Sequence, residues 1–297
     1  LNSEIFDCLV IGGGAAGLTA AVYLGRYRRR SVLIDDGGSR VVRIPKTRNV
    51  LGFPDGIAGP ELLERMRVHA GRYGTVLEMG RVEGLRRHED GGFEAVAGSR
   101  TVRARRVLLA TGARDVEPDI PGLAPALQAG VVRYCPVCDG YETQGQRVAV
   151  LGRAKHGVRE SVFVAGFDNE VTWLAMESRQ HVAAAELARL QAAGVRIEDR
   201  APREIRCGTS KVMVELADGE SLEFDVLYPA LGLVHACGLA TGMGAQCRAD
   251  GQLEVSDHYE TTVPGLYAAG DVAVDLNQIN VAAGQAAIAA TAIHNSL

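Results

Sequence analysis

No stretch of the 297 residues approaches the ~20 consecutive apolar residues of a membrane-spanning helix, and residues 5–11, Ile-Phe-Asp-Cys-Leu-Val-Ile, are strand-like from the outset, with no signal-peptide pattern before them. These absences predict a cytoplasmic protein that engages no membrane. A long basic tract is also lacking: 32 Lys and Arg stand against 36 Asp and Glu, a net charge of -4, and the arginines are scattered singly or in short runs. Nothing therefore points to nucleic acid or anionic lipid. The short Arg28-Arg29-Arg30 cluster, between a predicted helix and a strand from Ser31, reads as a solvated helix end. No repeat of 20 to 50 residues and no low-complexity run is visible. Six cysteines in a chain of this size do not make a secreted disulfide scaffold. In a reducing compartment a close-spaced pair is instead catalytic or metal-binding.

What is present is an apolar content of 47%, enough for about two ordinary domains with their own cores. A strand-glycine-helix signal occurs twice. The first runs Cys8-Leu9-Val10-Ile11-Gly12-Gly13-Gly14-Ala15-Ala16-Gly17, then a helix through Leu24 and a strand at 31–34 ending at Asp35. The second starts Arg147-Val148-Ala149-Val150-Leu151-Gly152 and reaches a strand at 171–174. Between them, residues 113–121 carry proline and glycine after a buried-strand pattern at 107–110, which marks a crossing linker. A second crossing is expected within 233–242, because Tyr267-Ala268-Ala269-Gly270-Asp271 and a small-residue helix match the chemistry of the first domain. The expected fold is α/β, with two Rossmann-like dinucleotide-binding domains in three layers. The second is inserted into the first: residues 1–114 and 241–297 form one domain, and 115–240 the other.

In Gly12-x-Gly14-x-x-Gly17 the first glycine allows a tight strand-to-helix turn, the second lets the backbone approach a pyrophosphate, and the third permits close helix-strand packing. The helix start at Ala15 and Ala16 adds amide groups and partial positive charge. Asp35, about 20 residues on, can accept from a ribose hydroxyl.

Cys135-Pro136-Val137-Cys138 can close a small disulfide and act as an electron relay. Zinc would need two further ligands at suitable spacing, whereas Cys207, Cys237 and Cys247 are isolated and the seven histidines form no cluster, so no metal is expected. Cys8, inside a strand, reads as a small buried hydrophobe. Asp139 is either an acid-base group for thiol-disulfide exchange or a first-turn carboxylate facing a helix dipole, and spacing alone leaves both open.

With these pieces in order, the chain closely resembles the low-molecular-weight thioredoxin reductase family over nearly its full length. Cys135-Pro136-Val137-Cys138-Asp139-Gly140 is similar to its active-site signature, and Ala110-Thr111-Gly112-Ala113 to its second flavin-domain motif. Asn49-Val50-Leu51-Gly52-Phe53-Pro54 resembles its loop near the flavin. Ala268-Ala269-Gly270-Asp271-Val272 resembles the stretch whose aspartate holds the FAD ribityl chain, and Gln278-Ile279 with Ala282-Ala283-Gly284 the helix start beneath the isoalloxazine. The resemblance implies FAD in the outer domain, NADPH and the dithiol in the inserted one, thioredoxin as substrate and a homodimer. It also implies that Cys138 lies nearest the flavin, that Cys135 attacks the protein substrate, and that Asp139 donates and accepts the proton.

The second nucleotide site departs from this pattern. Its turn reads Gly152-Arg153-Ala154-Lys155-His156-Gly157, with Ala154 at the middle glycine, and Ala175-Met176-Glu177-Ser178 stands where the family carries a His-Arg-Arg run for the NADPH 2′-phosphate. Glu177 repels that phosphate where arginine would grip it. Three readings follow: an NADH-using enzyme, a flavin thioredoxin reductase fed by a ferredoxin-like donor, or a dithiol oxidase passing electrons to oxygen. Asp139-Gly140 leans toward the reductases. A flavin-binding redox sensor is the non-enzyme alternative.

Overall fold

The computed structural model describes residues 5–208 and 210–297. The chain divides into two units: Leu1–Ile44, Val50–Arg114 and Val234–Leu297 form the first, Pro45–Asn49 and Asp115–Leu233 the second.

The first unit opens with β1 (Ile5–Ile11), α1 (Ala15–Arg26), β2 (Ser31–Asp35), α2 (Gly59–Gly71), β3 (Val76–Met79), β4 (Gly84–Arg87), β5 (Phe93–Ala97) and β6 (Arg100–Leu109). Along β1 the side chains alternate between two apolar clusters. Cys8 and Val10 join residues of the two helices, while Leu9 and Ile11 join Val32, Ile34 and Val107 on the opposite face. A strand covered on both sides has no polar face to show, which is why Cys8-Leu9-Val10-Ile11 is an unbroken apolar run. The ten-residue β6 serves three neighbours: its start pairs antiparallel with β5, and its later part pairs parallel with β1. Its end at 107–109 pairs parallel with a late strand that returns to this sheet.

The crossing strand β7 (Ala113–Asp115) leads into the second unit, which holds α3 (Leu123–Gln128), α4 (Pro136–Asp139), β8 (Arg147–Gly152), α5 (Ala154–Ala165), β9 (Glu170–Ala175), α6 (Ala184–Ala192), β10 (Arg196–Glu198), β11 (Pro202–Cys207), β12 (Val212–Leu216), β13 (Ser221–Phe224) and β14 (Val226–Ala230). Four of these strands form a parallel sheet in the order β10-β9-β8-β14, and β11-β12-β13 form an antiparallel one. Alternation is again two-sided along β8, with Val148 and Val150 in one cluster and Ala149 and Leu151 in the other. Trp173, the largest fully buried side chain, donates its Nε1–H to the Gly152 carbonyl at 3.0 Å. A Cβ on Gly157 would stand 2.4 Å from that nitrogen. The third glycine of the second turn is thus what lets α5 close on β9.

The chain returns through β15 (Leu233–His235), which pairs with β7, to α7 (Gly238–Thr241), β16 (Leu266–Ala268) and α8 (Ile279–Asn295). β16 completes the first sheet beside β6. The return lies at Leu233/Val234 rather than after 240 because α7 belongs with the first unit, where Ala240 is buried in the cluster of Leu9 and Ile11. Arg29 is not simply solvated: its guanidinium donates to His294 Nδ1 at 2.9 Å and to the His294 carbonyl at 2.8 Å, covering a late carbonyl of α8. Among the described residues no helix is long and apolar enough to cross a membrane.

Candidate active site

The sheet and two helices of the first unit bring the first glycine turn, Ala110, Gly270 and the start of α8 to one another. Gly12 turns the chain out of β1 at φ +106°, and a Cβ there would meet the Ala110 carbonyl oxygen at 2.3 Å. On Gly17 a Cβ would lie 1.8 Å from the Gly12 oxygen, so α1 packs onto the turn only with glycine at both places. Gly13, a free position in the fingerprint, is just as constrained, since its Cβ would fall 2.4 Å from the Asp35 carboxyl carbon. Asp35 instead accepts the Gly13 N–H at 3.0 Å, and Arg67 of α2 holds its other oxygen at 3.0 Å.

Gly14 precedes α1, Ala15 and Ala16 begin it, and no side chain caps it. Gln278 and Ile279 stand at the start of α8, likewise without a side-chain cap. Thr111 donates to the Ala236 carbonyl at 2.7 Å, and Gly112 accepts from Ala236 N at 2.9 Å. Gly270 donates its N–H to Gln285 Oε1 at 2.7 Å, while Asp271 is ion-paired with Arg40 at 2.8 Å. Gln285, buried at 3% exposure, also donates to the Val274 carbonyl and to Asp275, and so fixes the Gly270-Asp271 turn. Two uncapped helix starts beside a glycine turn offer amide groups to phosphate and ring acceptors, so this unit fits FAD.

In the second unit Cys135 and Cys138 are joined as a disulfide with Cα atoms 5.3 Å apart, at the start of the single-turn α4. Pro136 at the first helical position and the Cys138 N–H on the Cys135 carbonyl (2.9 Å) set that turn. Asp139 is buried in the first turn of α4, and both of its carboxylate oxygens are hydrogen-bonded. Oδ1 accepts from the Tyr228 hydroxyl at 2.7 Å and Oδ2 from Arg133 at 3.3 Å. Burial pushes the Asp139 carboxyl above its ordinary range, with Tyr228 and Arg133 pulling the other way. Burial and the neighbouring carboxylate push the Tyr228 phenol up. Asn49 belongs to this unit, where its Nδ2 lies 3.4 Å from the Val137 carbonyl. Val137 and Tyr141, on either side of Cys138, are 49% and 74% exposed.

The second glycine turn keeps Gly152, whose Cβ would stand 2.3 Å from the Ala230 oxygen. At the start of α5, Ala154 N donates to Glu177 Oε1 at 2.5 Å, so this helix start carries its own carboxylate, whereas no side chain caps α1.

The family described as pyridine nucleotide-disulphide oxidoreductase matches residues 6–286. The thioredoxin reductase of Bacillus subtilis (strain 168) is 30% identical, covering 99% of this chain and 95% of that protein. The thioredoxin reductase of Listeria innocua serovar 6a is 29% identical, covering 97% of this chain and 92% of that protein. The solved thioredoxin reductase from Streptococcus pyogenes MGAS5005 superposes with a TM-score of 0.89 at 26% identity, covering 99% of this chain and 98% of that one. The chain belongs to the thioredoxin-reductase-like flavin disulfide oxidoreductases. As such a flavoprotein it is an FAD-dependent disulfide oxidoreductase with two Rossmann-like domains, and Cys135–Cys138 is its one disulfide among the described residues.

Sequence reading alone missed the two groups that hydrogen-bond the Asp139 carboxylate. Tyr228 is 89 residues from Asp139 and reaches it only because β14 lies beside β8. Arg133, two residues before the first cysteine of the motif, carried the one local signal.

Proposed function

We propose that the protein passes electrons between FAD and the Cys135/Cys138 pair to reduce thioredoxin or a similar protein disulfide, without drawing them from NADPH by the family's usual route. Glu177 carries the second half of this reading: its carboxylate sits on the first amide of α5, 2.5 Å from Ala154 N, and residues 175–178 contain no cation for a 2′-phosphate. NADPH would have to displace that carboxylate and then lie beside it.

FAD, when bound, supplies two-electron redox chemistry to the pair, and the residues of the first unit assigned to hold it are Gly12, Gly14, Ala15, Ala16, Gly17, Asp35, Ala110, Thr111, Gly112, Gly270, Asp271, Gln278 and Ile279, whereas Asn49, expected near the flavin, belongs to the second unit. In the reduced pair the Cys135 thiolate attacks one sulfur of the substrate disulfide and expels the other as a thiolate. Cys138 then attacks the Cys135 sulfur, re-forming the Cys135–Cys138 bond and releasing the second substrate thiolate. Asp139 supplies and recovers the proton: burial favours its neutral form, while the Tyr228 and Arg133 donors keep the carboxylate accessible. Exposed Val137 and Tyr141 offer apolar surface beside the pair to a protein substrate. Thioredoxin is proposed because the Bacillus subtilis relative is a thioredoxin reductase.

One observation favours NADH over other donors. Asp35 and Glu177 each accept an amide of their own glycine turn, and an acid in that place accepts ribose hydroxyls that carry no phosphate. Anaerobic titration tests the donor by following the flavin absorbance. Bleaching by NADH but not NADPH supports the NADH form of the reading, and bleaching by neither, with dithionite effective, points to a ferredoxin-like donor or to oxygen as acceptor. Bleaching by stoichiometric NADPH overturns it.

A further inference from the structure

The two hydrogen bonds on the Asp139 carboxylate are unequal, and the difference divides the work between its oxygens. Along β14, Val226-Leu227-Tyr228-Pro229-Ala230, every residue is buried and only Tyr228 carries a polar side-chain atom. Residues 131–133 run beside this strand, with Leu227 N on the Val131 carbonyl at 2.9 Å and Arg133 N on the Leu227 carbonyl at 3.0 Å. That short ladder makes Arg133 a neighbour of Tyr228, and both side chains reach the one carboxylate.

Their bonds differ in length and in freedom. Tyr228 is fully buried, and its hydroxyl donates to Oδ1 at 2.7 Å, its one acceptor among the described residues. Arg133 reaches Oδ2 at a longer 3.3 Å; its side chain is 28% exposed, and its Nε is held by the Gly130 carbonyl at 2.8 Å. Glu142, the remaining charge that acts on Asp139, is paired with Arg48 at 3.4 Å. A proton on Oδ1 would oblige the Tyr228 O–H to turn away, leaving a sealed hydroxyl without an acceptor. On Oδ2 it displaces only the long, partly solvated bond, and the freed Nη1–H turns to water while Nε stays on Gly130.

We propose that Tyr228 is a positioning residue that anchors Oδ1 of Asp139 as the carbonyl oxygen, so that Oδ2, the oxygen facing Arg133, carries the working proton of thiol-disulfide exchange. This rests on the reading of Asp139 as the acid-base group. In the exchange the proton of the Cys135 thiol passes to Oδ2 as Arg133 turns aside, and the freed thiolate attacks the substrate disulfide. The same proton then leaves Oδ2 for the expelled substrate thiolate, so the carboxyl ends as it began.

Burial, which pushes the Asp139 carboxyl up, brings its neutral form within reach of mild acid. The test is infrared spectroscopy of the FAD-loaded protein taken from neutral to mildly acidic pH. The Asp139 carboxyl band is the one that Asp139→Asn removes, which also separates it from Glu160. A carbonyl stretch rises in frequency when its hydrogen bond is lost. Tyr228→Phe should therefore move the Asp139 band up. Arg133→Gln should leave the band where it is but make it appear at higher pH, since no cation then favours the carboxylate. The rate at which the reduced pair cleaves an aromatic disulfide should fall roughly tenfold or more in Tyr228→Phe, part of the ~100-fold or greater contribution of a positioned acid-base group. A band that moves in Arg133→Gln and stays in Tyr228→Phe, no Asp139 band over the folded pH range, or an undiminished exchange rate in Tyr228→Phe would overturn the proposal. Should Tyr228→Phe fail to fold, the band position in Arg133→Gln decides alone. A wild-type pair that cleaves no disulfide while the bands behave as expected would count against the functional reading rather than the anchoring of Oδ1.

Discussion

Two carboxyls of the second unit, buried Asp139 and partly buried Glu160, show how context sets a residue's chemistry. Asp139 is answered on both oxygens and keeps access to its charged form, whereas Glu160 of α5 has an Oε1 sealed from solvent with no hydrogen-bond partner. Burial, with a smaller contribution from Asp115, pushes the Glu160 carboxyl up to about 8. A folded-state value above the unfolded one means that the native state binds the extra proton. The stability this confers is complete below the usual carboxylate range near 4.5 and is lost as pH rises through about 8. Glu160→Gln removes the titration. Chemical denaturation at pH 5 and pH 9 should give a variant whose stability, relative to wild type, improves by roughly 1–3 kcal/mol on going to pH 9. An unchanged difference between the two pH values would contradict the assignment.

At the scale of elements, the two glycine turns are built alike and finished differently. Both close a strand against a helix with glycines that admit no Cβ, and both are met by an acid from the end of the second strand, Asp35 as its last residue and Glu177 two residues beyond it. Such features are legible in sequence because one strand-turn-helix-strand unit fixes their intervals: Gly12, Gly14, Gly17 and Asp35 announce themselves by spacing. Gly13 did not, because its constraint comes from the side chain of Asp35, and neither did Gln285, which reaches back to Gly270 from inside α8. Gly17→Ala tests the first turn. Its added methyl meets the Gly12 oxygen at 1.8 Å, a backbone contact that cannot swing aside, so α1 must move off the turn. Purified Gly17→Ala should fold with lowered stability and carry at most about a tenth of the wild-type flavin, a loss of about 1.4 kcal/mol or more in binding. A full flavin complement would show that the cradle does not depend on this packing.

On the scale of the whole molecule, the insertion of one Rossmann-like unit into another could be read from the repeated strand-glycine-helix signal and from the return of flavin motifs near the C-terminus. What the sequence did not disclose lies where distant segments meet. Residues 45–49, between motifs of the first unit, belong to the second, where Arg48 pairs with Glu142 at 3.4 Å and Asn49 approaches Val137. The hydrogen bond from Tyr228 to Asp139 likewise depends on a chain reversal that leaves no local pattern. The central claim, that electrons cross between FAD and the Cys135/Cys138 pair to a protein disulfide, can be tested whatever the donor. The flavin is reduced photochemically without oxygen, oxidised thioredoxin is added, and the return of flavin absorbance is followed. Wild type should regain its oxidised flavin spectrum as thioredoxin thiols appear, while Cys135→Ser and Cys138→Ser keep FAD and stay bleached. Equal reoxidation in both variants, or none in wild type with any protein disulfide, would contradict the account.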